Sequence, residues 1–394
     1  MNRAFKFLIL PNDTQRTLIA KTFGCCRFIF NRMLGDKIAH YEETGKSLYC
    51  YPSQYKKEFP WLREVDAFAL VGANNALNAA YTNFFRDKSV GFPRFKSKNT
   101  SRRSYTTNLV NGNIALLEGY LKLPKLGKVR IKQHRQVPEG YRLKSVTVSQ
   151  SPSGKYHASI LYEYDADITP VEPVDVLGLD FSMSELYVDS NGNQPNYPKP
   201  YRQALEKLAR EQRKLSRRKK GGSNREKQRR RVAILHERVA NQRRDWLHKR
   251  SRQLACDYDA VSIEDLNMKG MAQALNFGKS VSDNGWGMFT TFLQYKLEER
   301  GKYLVKIDKW FPSSKLCSNC GTVKEELALS ERTYRCDCGM VISRDHNAAI
   351  NILREGISQL DKTLNRGTHG DSSVNILPMG ESSQEAPTST VARL

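Results

Sequence analysis

Residues 317–353 read CSNCGTVKEELALSERTYRCDCGMVISRDHNAAINIL, and the reading of this stretch decides the rest. Cys317-x-x-Cys320 and Cys336-x-Cys338, each followed by glycine, are two knuckles about fifteen residues apart. Four thiolates in two close pairs are the ligand set of a tetrahedral zinc ribbon. With sulfur at all four positions no coordination site stays open, so the zinc is expected to be structural. The second knuckle is one residue shorter than the usual C-x-x-C. A few residues later come Arg344, Asp345 and a helix-like run, HNAAINIL. Asp345 lies one helical turn before Ala349 and two before Ile352, on the face that should pack against a sheet. A carboxylate in a first helical turn is favoured by the helix dipole.

Two further acids stand out by position. In VLGLDF, alternation places Asp180 with Val176 and Gly178, and Leu177, Leu179 and Phe181 opposite. In AVSIED, Glu264 shares a face with Ser262, while Val261 and Ile263 point the other way. Each acid therefore sits near the end of an apolar strand, on its less apolar side. Asp189 and Asp265 read as ordinary turn and solvent-facing acids. Three ionised carboxylates at one sheet edge repel each other, and one or two divalent cations would resolve the repulsion. Magnesium suits such an oxygen-ligand site, and a pair of ions suits phosphodiester cleavage.

The chain of 394 residues carries a net charge of +23, which makes a polyanion the first partner to consider and nucleic acid the first polyanion. Between positions 202 and 252 stand 20 Lys and Arg against 5 Asp and Glu, so this segment supplies most of the surplus. Its dense part, KLSRRKKGGSNREKQRRR, contains Arg217, Arg218, Lys219, Lys220, Arg229, Arg230 and Arg231. Leu205, Leu208, Gln212 and Leu215, then Val232, Leu235, Val239 and Trp246, keep an apolar stripe, so these helices should pack on something and display a basic face to phosphates. GFPRFKSK sets Phe92 and Phe95 among Arg94, Lys96 and Lys98, a second basic strip with rings for stacking. Tyr49, Tyr51 and Gln54 lie in a polar loop that could read bases. No apolar run is long enough to span a bilayer, the first residues read as a strand rather than a signal peptide, and the scattered cysteines suit a reducing cytosol.

Along the chain, a first strand ends at Pro11. A helix capped by Asp13 or Thr14 follows, with Ile19, Phe23, Cys26, Phe30 and Met33 at helical spacing, and ends at Gly45. A second helix starts near Asp66 with Ala69, Ala73, Leu77, Ala80 and Phe84 on one face. Short alternating runs after residue 100 predict a small barrel or sandwich. Pro170 and Pro173 mark a linker. Then come two strands, charged helices over 203–257 broken at Gly221-Gly222, a strand, a helix, a strand KYLVKIDKWF, the cysteines and a last helix. The tail from Gln359 is Ser-, Gly- and Pro-rich and is expected to be mostly disordered.

On TFGCCRFIFN, GFPRFKSK, LSRRKKGG, GLDFS, IEDL, FPSSKLCSNCG and RDHNAAINI, the chain resembles the TnpB family, RNA-guided nucleases of bacterial and archaeal insertion sequences related to type V CRISPR effectors. The resemblance implies a multidomain α+β fold. A RuvC-type, RNase H-like nuclease domain would occupy 173–310 and 343–358, with a zinc-ribbon insertion over 311–342. An N-terminal β-barrel wedge domain over 1–12 and 101–172 would be interrupted by a helical recognition domain over 13–100. It implies catalytic, magnesium-binding roles for Asp180, Glu264 and Asp345, with two ions, and zinc on Cys317, Cys320, Cys336 and Cys338. It implies a guide RNA from the transposon end and a double-stranded DNA target with a short flanking motif; a cytoplasmic, nucleoid-associated protein is expected, with a monomer favoured over an oligomer. Two positions depart from the common pattern: Ser182 replaces a glycine after the first catalytic acid, and Ser343 replaces the first acid of a DRD triplet. A guided repressor that no longer cleaves, a transposase that joins strands, and a miniature CRISPR effector are the competing readings.

Overall fold

The computed structural model describes residues 1–268, 270–271, 284–328 and 330–366. The chain divides into two compact units, Met1–Ala166 and Asp167–Leu394.

The first unit is one antiparallel sheet with helices against it. Its strands are β1 (Asn2–Leu10), β2 (Ser104–Asn108), β3 (Ala115–Leu117), β4 (Tyr120–Leu123), β5 (Gly127–Lys132), β6 (Arg142–Gln150) and β7 (Tyr156–Glu163). They lie in the order β2-β6-β7-β1-β5-β4-β3, with β2 and β3 at the two ends of the ladder. The alternation seen in the sequence is kept: Ala158, Ile160 and Tyr162 of β7 are buried, and Phe5 and Phe7 of β1 stand opposite Ile160 and Ala158.

Helix α1 (Asp13–Thr44) is capped by Asn12, one residue before the expected caps, because Asn12 and Gln15 satisfy each other's backbone N–H groups in a capping box. It ends at Gly45, whose φ of +69° suits glycine. A single turn, α2 (Tyr55–Glu58), leads to α3 (Ala67–Arg86), which Asp66 caps by accepting from the Phe68 N–H. Ile19, Ile29 and Met33 of α1 and Leu70 and Leu77 of α3 share one hydrophobic core with the sheet. Within that core α1 packs chiefly on α3, and α3 in turn packs on β2.

The second unit is built on a four-stranded sheet in the order β11-β10-β8-β9, formed by β8 (Val176–Ser182), β9 (Leu186–Asp189), β10 (Ala260–Glu264) and β11 (Tyr303–Ile307). β10 runs parallel to both β8 and β11, and β9 is antiparallel to β8. Leu177, Leu179, Val261 and Ile263 face one way and pack with Leu247 and Leu254 of α5 (Ser223–Asp257) and Trp286, Phe289 and Leu293 of α6 (Trp286–Glu298). Helix α4 (Pro200–Ser216) lies along α5, and Gly221, at φ +85°, makes the corner between them. β11 stops at Ile307 because Asp308 turns the chain by accepting from the Trp310 N–H. A hairpin of β12 (Thr333–Arg335) and β13 (Val341–Ser343) then leads directly into α7 (Arg344–Arg366). The helix continues eight residues beyond 358, where the sequence suggested a disordered tail. Leu360 explains the extension, being buried with Ala260 and Val305. The remainder of that tail, 367–394, lies outside the described residues.

Candidate active site and metal centre

The opposite face of the second sheet is where α7 sits, and two glycines set how closely. A side chain at Gly178 of β8 would meet the Ala349 carbonyl and lie 2.7 Å from the Leu353 backbone nitrogen. A side chain at Gly356 of α7 would meet the Ser262 hydroxyl of β10. The face that carries Val176, Gly178 and Ser262 is therefore the seat of α7, as alternation predicted. Asp180 and Glu264 lie on that same face. β10 and β8 pair parallel with Ile263 opposite Leu179, so Glu264 and Asp180 are neighbours at the carboxyl ends of adjacent strands. Ligands in open α/β sheets bind beyond such ends. Asp345 enters from the first turn of α7.

Asp180 lies close enough to both Glu264 and Asp345 to feel their charges. Asp180 keeps some solvent contact at its surface but is enclosed by protein. That burial pushes its carboxyl well above the usual range, and the charges of Glu264 and Asp345 push it further. Arg344 opposes the rise without cancelling it. Burial also raises Glu264, against a hydrogen bond from Ser313 that favours its ionised form. This is a site with an anionic surplus, and such a donor set fits a hard divalent cation. Asp189 takes the ordinary role expected of it, accepting from the N–H groups of Asn191 and Asn193 in a turn, and Asp265 is exposed. Ser182 is buried, with its hydroxyl 3.1 Å from that of Ser184, and Ser343 is exposed on β13.

The cysteines form a tighter cluster. One ligand atom from each of Cys317, Cys320, Cys336 and Cys338 lies within 4.8 Å of all the others. Cys317 and Cys338 sulfurs are 3.7 Å apart and those of Cys320 and Cys336 are 3.6 Å apart. Zn–S bonds of about 2.3 Å in a tetrahedron require sulfurs about 3.8 Å apart, so the cluster fits structural zinc. The shorter second knuckle does not prevent this. Among the described residues no other group of three His, Cys, Asp or Glu is so compact. The three carboxylates are more widely set.

Sequence reasoning missed what joins the two clusters. Asn347 of α7 accepts from the Ser318 N–H at 2.9 Å and donates to the Leu316 carbonyl at 2.7 Å. Asn351 donates to the carbonyls of Ser313 at 2.8 Å and Leu316 at 2.7 Å. Arg354 donates to the Ser318 carbonyl. The first cysteine knuckle is thereby stitched to the helix that carries Asp345. The signal was the spacing itself: Asn347, Asn351 and Arg354 recur at i, i+4 and i+7 on one polar face of α7, roughly opposite the face of Ala349 and Ile352 that packs on the sheet.

The basic segments are placed as follows. Arg217, Lys219, Lys220, Arg229, Arg230 and Arg231 are exposed. Arg218 donates to the Asn224 carbonyl at 2.8 Å and helps hold the corner, and Arg229 pairs with Glu226. Leu208, Val232 and Val239 are buried as the stripe required, whereas Leu205 is exposed. In the first unit Arg94 and Lys98 are exposed, but Lys96 turns inward, its ammonium 3.6 Å above the Phe30 ring, and burial lowers its pKa. Tyr49 and Tyr51 are exposed, and Gln54 accepts from the Tyr51 N–H.

Comparison with known proteins agrees with this architecture. The family described as "Probable transposase" matches residues 159–275, and a "Cas12f1-like, TNB domain" matches 286–352. A "Helix-turn-helix domain" matches 1–46, where this chain forms a strand and one long helix instead. A Streptomyces pristinaespiralis protein named "Putative RNA-guided DNA endonuclease" is 38% identical over 91% of this chain and 90% of its own length. The correspondingly named InsQ of Escherichia coli is 32% identical over 90% and 92%. The chain belongs to the TnpB family of transposon-encoded RNA-guided nucleases. Among solved structures, one titled as a Cas12f1–sgRNA–target DNA complex superposes with a TM-score of 0.60 at 12% identity, over 89% of this chain and 98% of that one, which shows a shared fold.

Proposed function

We propose that this protein is an RNA-guided DNA endonuclease that hydrolyses a target phosphodiester bond at Asp180, Glu264 and Asp345. The observation that carries the reading is the convergence of the three acids where α7 seats against the ends of β8 and β10. These three carboxylates would hold magnesium, which when bound would supply activation of a water and charge stabilisation for the leaving oxygen. The wide spacing of the carboxylates suits a pair of ions better than one closed cage. Glu264 and Asp180 would take adjacent positions from the sheet and Asp345 the third from the helix. Arg344 would moderate the anionic charge beside Asp180. The exposed arginines and lysines of α4 and α5, with Arg94 and Lys98, would hold phosphates of guide and target. Sequence choice would come from base pairing with the guide, and the protein would read a short flanking motif. No helix among the described residues is long and apolar enough to cross a membrane.

The test is to purify the chain, sequence the RNA that accompanies it, and offer that complex a plasmid with a matching target and magnesium. Cleavage that needs both the matching RNA and magnesium supports the proposal. Guided binding without cleavage would favour a repressor, and absence of bound RNA would overturn the guided reading.

A further inference from the structure

We infer that Ser313 is a positioning residue for Glu264, and that it ties the orientation of this carboxylate to the cysteine knuckle. This rests on the carboxylate site proposed above. Ser313 lies in the segment FPSSKLC, between the turn after β11 and Cys317. It is 5% exposed, so its hydroxyl is not simply solvated. The hydroxyl donates to Oε1 of Glu264. The same residue's carbonyl accepts from Asn351 of α7 at 2.8 Å, its N–H donates to the Phe311 carbonyl at 2.8 Å, and Asn351 also holds the Leu316 carbonyl. Both ends of Ser313 are thus engaged. Its side chain fixes one oxygen of the acid, and its backbone is fixed by the helix that carries Asp345.

A glutamate has three rotatable side-chain bonds, and a metal ligand that must find its rotamer loses affinity in doing so. A donor on Oε1 locks the last of those bonds and leaves Oε2 and the remaining lone pair of Oε1 to face a cation. Partners of this kind are worth about 10–100-fold in metal affinity or activity. The position also gives a reason for FPSS preceding the first cysteine. The chain that enters the zinc knuckle is the chain that braces the acid.

The experiment is a double-mutant cycle on the full chain with its bound RNA, read by Mn2+ titration under EPR and by the Mg2+ dependence of cleavage. Ser313→Ala should weaken Mn2+ binding and raise the Mg2+ concentration for half-maximal cleavage about 10–100-fold. The rate at saturating Mg2+ should change less, and zinc content and RNA binding should stay unchanged. Ser313→Thr keeps the hydroxyl and should restore most of the loss. Glu264→Asp shortens the acid by one methylene and withdraws it from Ser313. In that background Ser313→Ala should therefore cost little more, even if it also lowers overall stability. Equal losses in both backgrounds, or wild-type Mn2+ affinity in Ser313→Ala, would overturn the inference. Wild-type Mn2+ binding and cleavage in Glu264→Ala would instead overturn the site on which it rests.

Discussion

The second unit contains two clusters of potential metal ligands, and they are built in opposite ways. The four cysteines come from one local stretch, and their sulfurs close on a single point. The three carboxylates come from β8, β10 and α7, far apart in sequence, and meet only because strand register and the seat of one helix bring them together. The thiolate cluster is complete in itself and leaves no position for a substrate. The carboxylates are each half-buried, and burial together with the charges of Glu264 and Asp345 holds Asp180 above its ordinary range. A closed set of soft ligands serves stability. An open set of hard ligands, held at an energetic cost, is what the proposed metal-assisted cleavage requires. Ser313, Asn347 and Asn351 lie between them, so the two are coupled rather than merely adjacent.

The comparison predicts that the two clusters fail differently. Asp180→Ala, Glu264→Ala and Asp345→Ala should each lower the cleavage rate by about 1000-fold or more, since a lost metal ligand removes several kcal/mol of transition-state stabilisation. RNA and target binding, measured by filter retention, should remain. Wild-type cleavage by any of the three would remove that residue from the site.

Cys317→Ser and Cys338→Ser should act on the fold first. Bound zinc, measured by elemental analysis, should fall, and stability should drop by several kcal/mol, because structural zinc contributes folding free energy directly. Cleavage should fall with it through the Asn347 and Asn351 bonds to the knuckle. A variant without zinc that melts and cleaves like the wild type would show that the clusters are independent.

The basic helices α4 and α5 are a control, since their surface arginines belong to neither cluster. Replacing Arg229, Arg230 and Arg231 together by Gln should weaken nucleic-acid binding without touching zinc content. Each lost phosphate contact should flatten the plot of log affinity against log salt by about 0.7 for single strands and about 0.9 for B-form DNA. Arg229 already pairs with Glu226, so it must give up that pair to hold a phosphate. An unchanged slope would mean that these arginines only solvate the helix. A changed target preference would mean that they read bases.

The contrast also explains what the sequence could show. Cysteine spacing is local, so Cys317, Cys320, Cys336 and Cys338 were legible without any fold. Alternation in VLGLDF and AVSIED gave the correct face for Asp180 and Glu264, because period-two patterning survives in a sheet with one apolar face. It could not give Ser313, whose role depends on where a loop crosses a strand end. Lys96 shows the opposite limit. Its neighbours Arg94 and Lys98 face solvent, but Asn31 of α1 bonds both backbone groups of Lys96 and turns its side chain onto Phe30. Composition cannot reveal such a bond. The extent of α7 was missed because the Ser- and Gly-rich tail masked Leu360, one apolar residue placed to reach Ala260 and Val305.

The smallest expected effect separates the clusters by the sign of their response to pH. Asp180 has a folded-state pKa raised above its ordinary value of 3.8, and Glu264 is raised above 4.5. A raised acid stabilises the fold fully below its unfolded pKa, and that contribution is lost as pH rises through the folded value. Without magnesium, the carboxylate site should therefore lose stability as pH rises from the acid range towards neutrality. The zinc site should behave in reverse, because its thiolates must be deprotonated and protons displace the metal as pH falls. Asp180→Asn removes one of the repelling charges. In magnesium-free buffer, with zinc left in place, this variant should melt above the wild type at neutral pH, and the gap should shrink as pH falls through the raised range. Added magnesium should narrow the gap from the other side, by stabilising only the protein that retains the carboxylate. Thermal melts of both proteins across pH, with and without magnesium, test this. Identical melts at neutral pH would mean that Asp180 carries no burial penalty and that the open cluster is as relaxed as the closed one.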